Sequence, residues 1–193
     1  MPIPLRCRCG QVQGEVGTAH TYTRATCYCT DCRAYAQWLG VPGLLDEVGG
    51  VDVVTMAPTD LRFTAGRDRI VCMSWSERGI YRWYASCCRT PLGNTPRDPG
   101  VHYVGVSSAC LEGAGAAVDD AFGLPRRCLI STGTATATVR KRPFTTAWGI
   151  LRVVIGLAGA KLRGRRESPF FDASTGKPIR VPEIVKRSPH GNQ

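Results

Sequence analysis

The sequence predicts a mainly β fold with a basic helical appendage at its C-terminal end. Three observations lead there. Short runs rich in β-branched and aromatic residues recur between turn-forming residues from Leu5 to Val106. Helical patterning is confined to a few stretches, chiefly Asp31 to Leu39 and Trp148 to Ala160. Seven of the ten cysteines fall into three tight groups: Cys7 and Cys9, then Cys27, Cys29 and Cys32, then Cys87 and Cys88.

Taken in chain order, Leu5 to Cys9 and Gln11 to Val16 flank Gly10 and read as a hairpin. Thr21 to Cys27 is a further short strand. Asp31 to Leu39 has helical character, with Ala34, Trp38 and Leu39 able to share a face. Gly40, Pro42 and Gly43 end it. Val51 to Met56, Leu61 to Thr64, Ile70 to Trp75 and Ile80 to Tyr84 read as strands separated by turns. Pro91 to Gly100 then reads as a long irregular loop, Val101 to Val106 as a strand, and Cys110 to Phe122 as a weak helix.

Ser131 to Val139 is small and polar, and Arg140-Lys141-Arg142-Pro143 follows. A boundary is expected here, dividing residues 1–140, a zinc-binding β domain, from residues 141–193, a basic extension with one helix. The net charge of +10 is uneven. Residues 141–193 hold eleven Lys and Arg against Glu167, Asp172 and Glu183. Such a tail suits nucleic acid, an anionic membrane or a protein partner, and equally a solvated face. Trp148 to Ala160 reads first as a helix packed on the body or in a dimer contact. An interfacial membrane helix is the alternative.

No apolar run approaches the roughly 18 residues of a membrane span, and the N-terminus lacks a basic and then apolar leader, so the expected compartment is the cytoplasm. Thiols stay reduced there, so clustered cysteines point to metal or catalysis rather than disulfides. Cys27, Cys29 and Cys32 put three soft donors within six residues, the last in the first helical turn. Three ligands on one short segment leave the fourth position to a distant residue or open, and an open position marks a reactive zinc. Cys7 and Cys9 resemble half of a four-cysteine site whose best other half is Cys87 and Cys88. Adjacent residues of a strand face opposite ways, so both can bind only if the chain turns tightly there. Cys72, Cys110 and Cys128 read as buried apolar residues. His20 and His102 are weaker ligand candidates, and His190 reads as solvated. No general base stands out. Asp31 is the one acid inside the motif, and capping the helix is its expected role.

The motifs Cys7-Arg8-Cys9-Gly10, Cys27-Tyr28-Cys29-Thr30-Asp31-Cys32-Arg33 and Arg82-Trp83-Tyr84-Ala85-Ser86-Cys87-Cys88-Arg89-Thr90-Pro91-Leu92 resemble the glutathione-dependent formaldehyde-activating enzyme family, also called centromere protein V-like. The likeness spans roughly residues 3–107 and extends to an uncharacterised bacterial branch with the Cys87-Cys88 pair and a basic tail. It implies a β-tent fold of short antiparallel sheets around two zinc ions. Cys27, Cys29 and Cys32 would serve the catalytic zinc, in a carbon–sulfur lyase type of reaction on a small thiol adduct such as that of glutathione. Cys7, Cys9 and Cys88 would hold the structural zinc. The family's remaining cysteine falls on Ala85 and its glycine on Arg89, so Cys87 is the expected replacement.

Overall fold

The computed structural model describes residues 2–113, 115–165 and 167–186, and His190 lies outside them. The fold is mainly β. A three-stranded antiparallel sheet has the order β1 (Ile3–Arg6), β2 (Gln13–Val16), β5 (Leu61–Ala65). An eight-stranded sheet contains β3 (Thr21–Cys27), β4 (Val51–Met56), β6 (Ile70–Ser74), β7 (Tyr81–Ala85), β8 (Pro91–Thr95), β9 (Val104–Ser107), β10 (Cys128–Ile130) and β11 (Glu183–Ile184). Its order is β10-β3-β4-β9-β8-β7-β6-β11. The two edge strands β10 and β11 pair parallel to β3 and β6, and every other pairing is antiparallel. The sheet is therefore mixed.

Alternation decides which side chains go inside. Tyr81, Trp83 and Ala85 of β7 enter a core shared by both sheets, with Leu5 and Val16 on one side and Val54, Met56 and Val106 on the other. Burying one such large apolar side chain is worth about 2 kcal/mol. Phe170, from beyond residue 140, is fully buried and stacks on Trp83 at 4.8 Å, with Phe171 beside it.

Among the described residues there are three α-helices, α1 (Thr30–Leu39), α2 (Ala116–Phe122) and α3 (Pro143–Leu162). Gly40 ends α1 in the left-handed conformation, as the sequence predicts. Buried Arg24 on β3 pairs with Asp52 at 2.7 Å and Asp119 at 2.6 Å, and so ties α2 to the sheet.

The structure corrects the sequence reading in four places. Pro91 to Thr95 is a strand rather than loop. Proline is tolerated at a strand's first residue, and a side chain at Gly93 would meet the Gly105 carbonyl at 2.9 Å. Cys128–Ile130 is a further strand, too short to carry a pattern of its own. Of Cys110 to Phe122, only the last seven residues form an α-helix. The C-terminal helix starts earlier than expected because Pro143 occupies its first turn, where a missing N–H costs nothing. Its 20 residues are long and apolar enough, by length and composition, to cross a membrane; Arg152 interrupts the apolar run but not the helix.

Candidate metal centre

The structure gathers the clustered cysteines into two groups, and within each group the sulfurs lie within 4.8 Å of one another. Cys7, Cys9, Cys87 and Cys88 form the first. Cys27, Cys29 and Cys32 form the second.

The first group joins two turns. Cys7 and Cys9 lie between β1 and β2, where the Gly10 N–H bonds the Cys7 carbonyl at 2.8 Å. Cys87 and Cys88 lie between β7 and β8, where the Arg89 N–H returns to the Ala85 carbonyl at 2.8 Å. This is the tight turn that two adjacent ligands require, and it brings both Cys87 and Cys88 into the group. Arg89 stands at φ +58°, the left-handed conformation that glycine takes most easily. It is held there by a 2.6 Å hydrogen bond to the Trp38 carbonyl and by stacking on the Trp38 ring at 4.5 Å. Ala85 is buried in β7, and the Cys87 sulfur lies 3.2 Å from that of Cys9 and 3.9 Å from that of Cys7.

Three of the four spacings fit zinc, and the Cys9–Cys87 spacing of 3.2 Å is shorter. Bonds of about 2.3 Å at tetrahedral angles put sulfurs about 3.8 Å apart. The observed Cys7–Cys9 and Cys87–Cys88 separations are 3.6 and 3.8 Å. Burial raises the Cys7 and Cys87 thiols. At Cys88 burial is outweighed by hydrogen bonds from Thr90 and the Cys9 backbone, and its pKa falls to about 6.

The second group sits where β3 runs into α1. Cys27 is the last residue of β3, Cys29 is the N-cap of α1, and Cys32 lies in the first turn. The Cys29 sulfur accepts the Cys32 N–H at 3.4 Å, so the helix cap is a cysteine and not Asp31. Asp31 instead contributes negative charge to the first turn, and its carbonyl accepts the Trp75 indole N–H. Tyr28 between the two cysteines is fully buried and anchors the corner. Its hydroxyl donates to Asp46 at 3.2 Å, its N–H to the Ile130 carbonyl at 2.9 Å, and its carbonyl accepts the Thr134 hydroxyl at 2.9 Å. Cys27 and Cys29 sulfurs stand 3.3 Å apart. Hydrogen bonds from the Cys27 and Cys32 thiols hold Cys29 well below the usual thiol range, whereas that same bond raises Cys27. No fourth Cys, His, Asp or Glu completes the group among the described residues.

Several polar side chains surround the three thiols. Arg82 on β7 is 2% exposed, has no ion-pair partner among the described residues, and points Nη1 at the Cys32 sulfur from 3.8 Å. Its Nε has no hydrogen-bond partner among the described residues, and its guanidinium lies 5.2 Å from the Tyr35 ring. Burial raises the Tyr103 phenol, and the charges of Cys27 and Cys32 add to that effect. At Gly105 an added methyl would meet the Asn94 amide at 3.0 Å and the Tyr103 hydroxyl at 3.3 Å. Glycine thus keeps space open between them. A small cavity of about 30 Å³ beside Gly105 is lined by Cys32, Arg82, Asn94 and Ser107 together with apolar Tyr35, Leu39, Leu44, Val51 and Val53, and has room for about one or two waters.

The sequence reading missed Arg82, which donates to the Cys32 sulfur, and Asn94, which lines a cavity with Cys32. Cys72, Cys110 and Cys128 are buried singly, as expected. His20 bonds Asp60 at 2.7 Å, and His102 is buried near Thr59; neither belongs to a thiol group.

No curated protein matches the chain. Among solved structures, the crystal structure of a Rhodobacter sphaeroides protein is 24% identical over 64% of this chain and 98% of that one, with a TM-score of 0.43. A sequence family described as a family of unknown function, DUF6151, matches residues 1–181, and the chain belongs to that family.

Proposed function

We propose that Cys7, Cys9, Cys87 and Cys88 hold a structural zinc. Cys27, Cys29 and Cys32 hold a second, reactive zinc of the glutathione-dependent formaldehyde-activating type, which works on a small thiol or thiol adduct. The observation that carries this reading is the difference in donor count within one chain, four sulfurs in one group against three in the other. A tetrahedral ion on three sulfurs keeps one position for a substrate atom. When bound there, zinc supplies a Lewis-acid position for a thiol sulfur or a carbonyl oxygen.

The chain's own residues supply the rest. Three thiolates carry one negative charge more than a divalent ion neutralises, and the buried Arg82 guanidinium beside Cys32, with no ion pair among the described residues, offsets it. Burial, reinforced by Cys27 and Cys32, keeps the Tyr103 phenol protonated, so it can offer a hydrogen bond to the oxygen that develops charge. In the addition direction, the thiol gives up its proton, its sulfur bonds the carbonyl carbon, the C=O π pair moves to oxygen, and oxygen takes up one proton, so none is gained or lost overall. Cleavage of the carbon–sulfur bond is the reverse. Asn94 and Tyr103 flank the space that Gly105 keeps open, where the carbonyl oxygen would lie.

The test is spectroscopic. Glutathione or a smaller thiol added to the cobalt-substituted protein should change the visible absorption, and Cys29→Ser should lose that response. An unchanged spectrum would remove the main support for this reading. Tyr103→Phe should keep both metals and lower turnover of glutathione with formaldehyde by about a hundredfold or more.

A further inference from the structure

We propose that α3 is an interfacial membrane helix that seats the protein on an anionic phospholipid surface. This does not depend on the chemistry assigned to the thiols. One side of α3 is fixed to the body. A side chain at Gly149 would meet the Cys128 sulfur at 2.9 Å, and one at Gly156 would clash with the Tyr22 ring. Ala160 is buried, and Arg152 donates to the Thr21 carbonyl at 3.3 Å. The helix therefore lies along β3 and β10 rather than leaving the body to span a bilayer.

The other side is apolar and bare. Phe144, Trp148, Leu151, Ile155 and Leu162 recur at helical spacing away from the body, with Trp148 63% and Ile155 60% exposed. The charge around this stripe identifies its occupant. Residues 121–166 contain ten Lys and Arg and no acid. Arg140, Lys141 and Arg142 precede the helix, while Lys161, Arg163 and Arg165 end it. A second copy packed on the stripe, parallel or antiparallel, would set basic ends against basic ends. A nucleic acid would match the charge but leave five large apolar side chains in water. An anionic bilayer surface meets both demands, apolar side chains entering the acyl boundary and basic residues meeting the headgroups. Between α3 and the body, a cleft of about 590 Å³ lined by Tyr22, His102, Trp148, Arg152, Arg163 and Arg165 offers three guanidinium groups to a headgroup phosphate.

Sedimentation of the full zinc-replete chain tests this, with vesicles of phosphatidylcholine alone and of phosphatidylcholine mixed with phosphatidylserine. The protein should sediment with the mixed vesicles, and added salt should release it. Ile155→Glu should lower the partition at least about tenfold. Arg163→Ser and Arg165→Ser should each lower it about fivefold. All three should retain the zinc content and circular dichroism of the parent. Absence of binding to mixed vesicles would overturn the proposal, as would undiminished binding by Ile155→Glu, a dimer that Ile155→Glu dissociates, or duplex DNA binding in place of vesicle binding. Because zinc content is read in the same samples, failure here is distinguishable from failure at the thiol sites.

Discussion

The two thiol groups are built differently. Cys7 and Cys87 meet across 80 positions of sequence, so the first group closes a long loop and ties the β1–β2 turn to the β7–β8 turn. The second group draws all its sulfurs from the junction of β3 and α1, which backbone and side-chain hydrogen bonds around Tyr28 already fix. An ion in the first group would restrain the unfolded chain strongly. An ion in the second would restrain it little, because those residues are neighbours anyway. The surroundings follow the same division. Thr90 and backbone N–H groups face the first set of sulfurs, whereas the second faces a buried arginine with no ion-pair partner among the described residues, a phenol, and space beside a glycine.

The sharpest way to break this comparison is Cys88→Ser. It should remove one zinc and destabilise the fold on the order of 5 kcal/mol or more, seen as loss of the cooperative thermal transition. Cys29→Ser should also remove one zinc but leave the fold intact, because serine still caps α1. Cys29→Ala should cost about 1 kcal/mol more than Cys29→Ser through the lost cap, measured by urea denaturation. Arg82→Gln should weaken metal at the second group about tenfold in a chelator competition and leave the first unchanged. The smallest effect is expected from Gly105→Ala. Its methyl would press on Asn94 and Tyr103, so both metals should stay while the response to added thiol falls a few-fold in a cobalt titration.

Much of this arrangement was legible in the sequence. β3 and β4 follow the β-branched runs residue for residue, because Val, Thr and Tyr fit a pleated surface whatever their partners. The three-thiol group was legible because its geometry is local. The four-thiol group was only half legible. Pairing Cys7 and Cys9 with Cys87 depends on the turn at Ser86 to Arg89, and Arg89 holds a glycine conformation there only because Trp38 stacks on it. β8 was hidden because Pro91, Gly93 and Asn94 are turn residues in isolation, and only the approach of the Gly105 backbone explains a glycine in mid-strand. Tyr103 and Arg82 carried faint signals. Tyr103 shares a strand parity with Gly105 and Ser107, opposite buried Val104 and Val106, and Arg82 stands between aromatic core residues. That these faces look towards Cys27 and Cys32 follows from strand order, which one sequence does not carry.

The most direct measurement of the central claim is zinc content per chain, combined with the sulfur count per zinc from X-ray absorption. The account predicts two zinc ions averaging between three and four sulfurs, with a lighter donor on one of them. Cys29→Ser should then hold one zinc with four sulfurs. A single zinc in the parent, or two zinc ions each with four sulfurs, would contradict it.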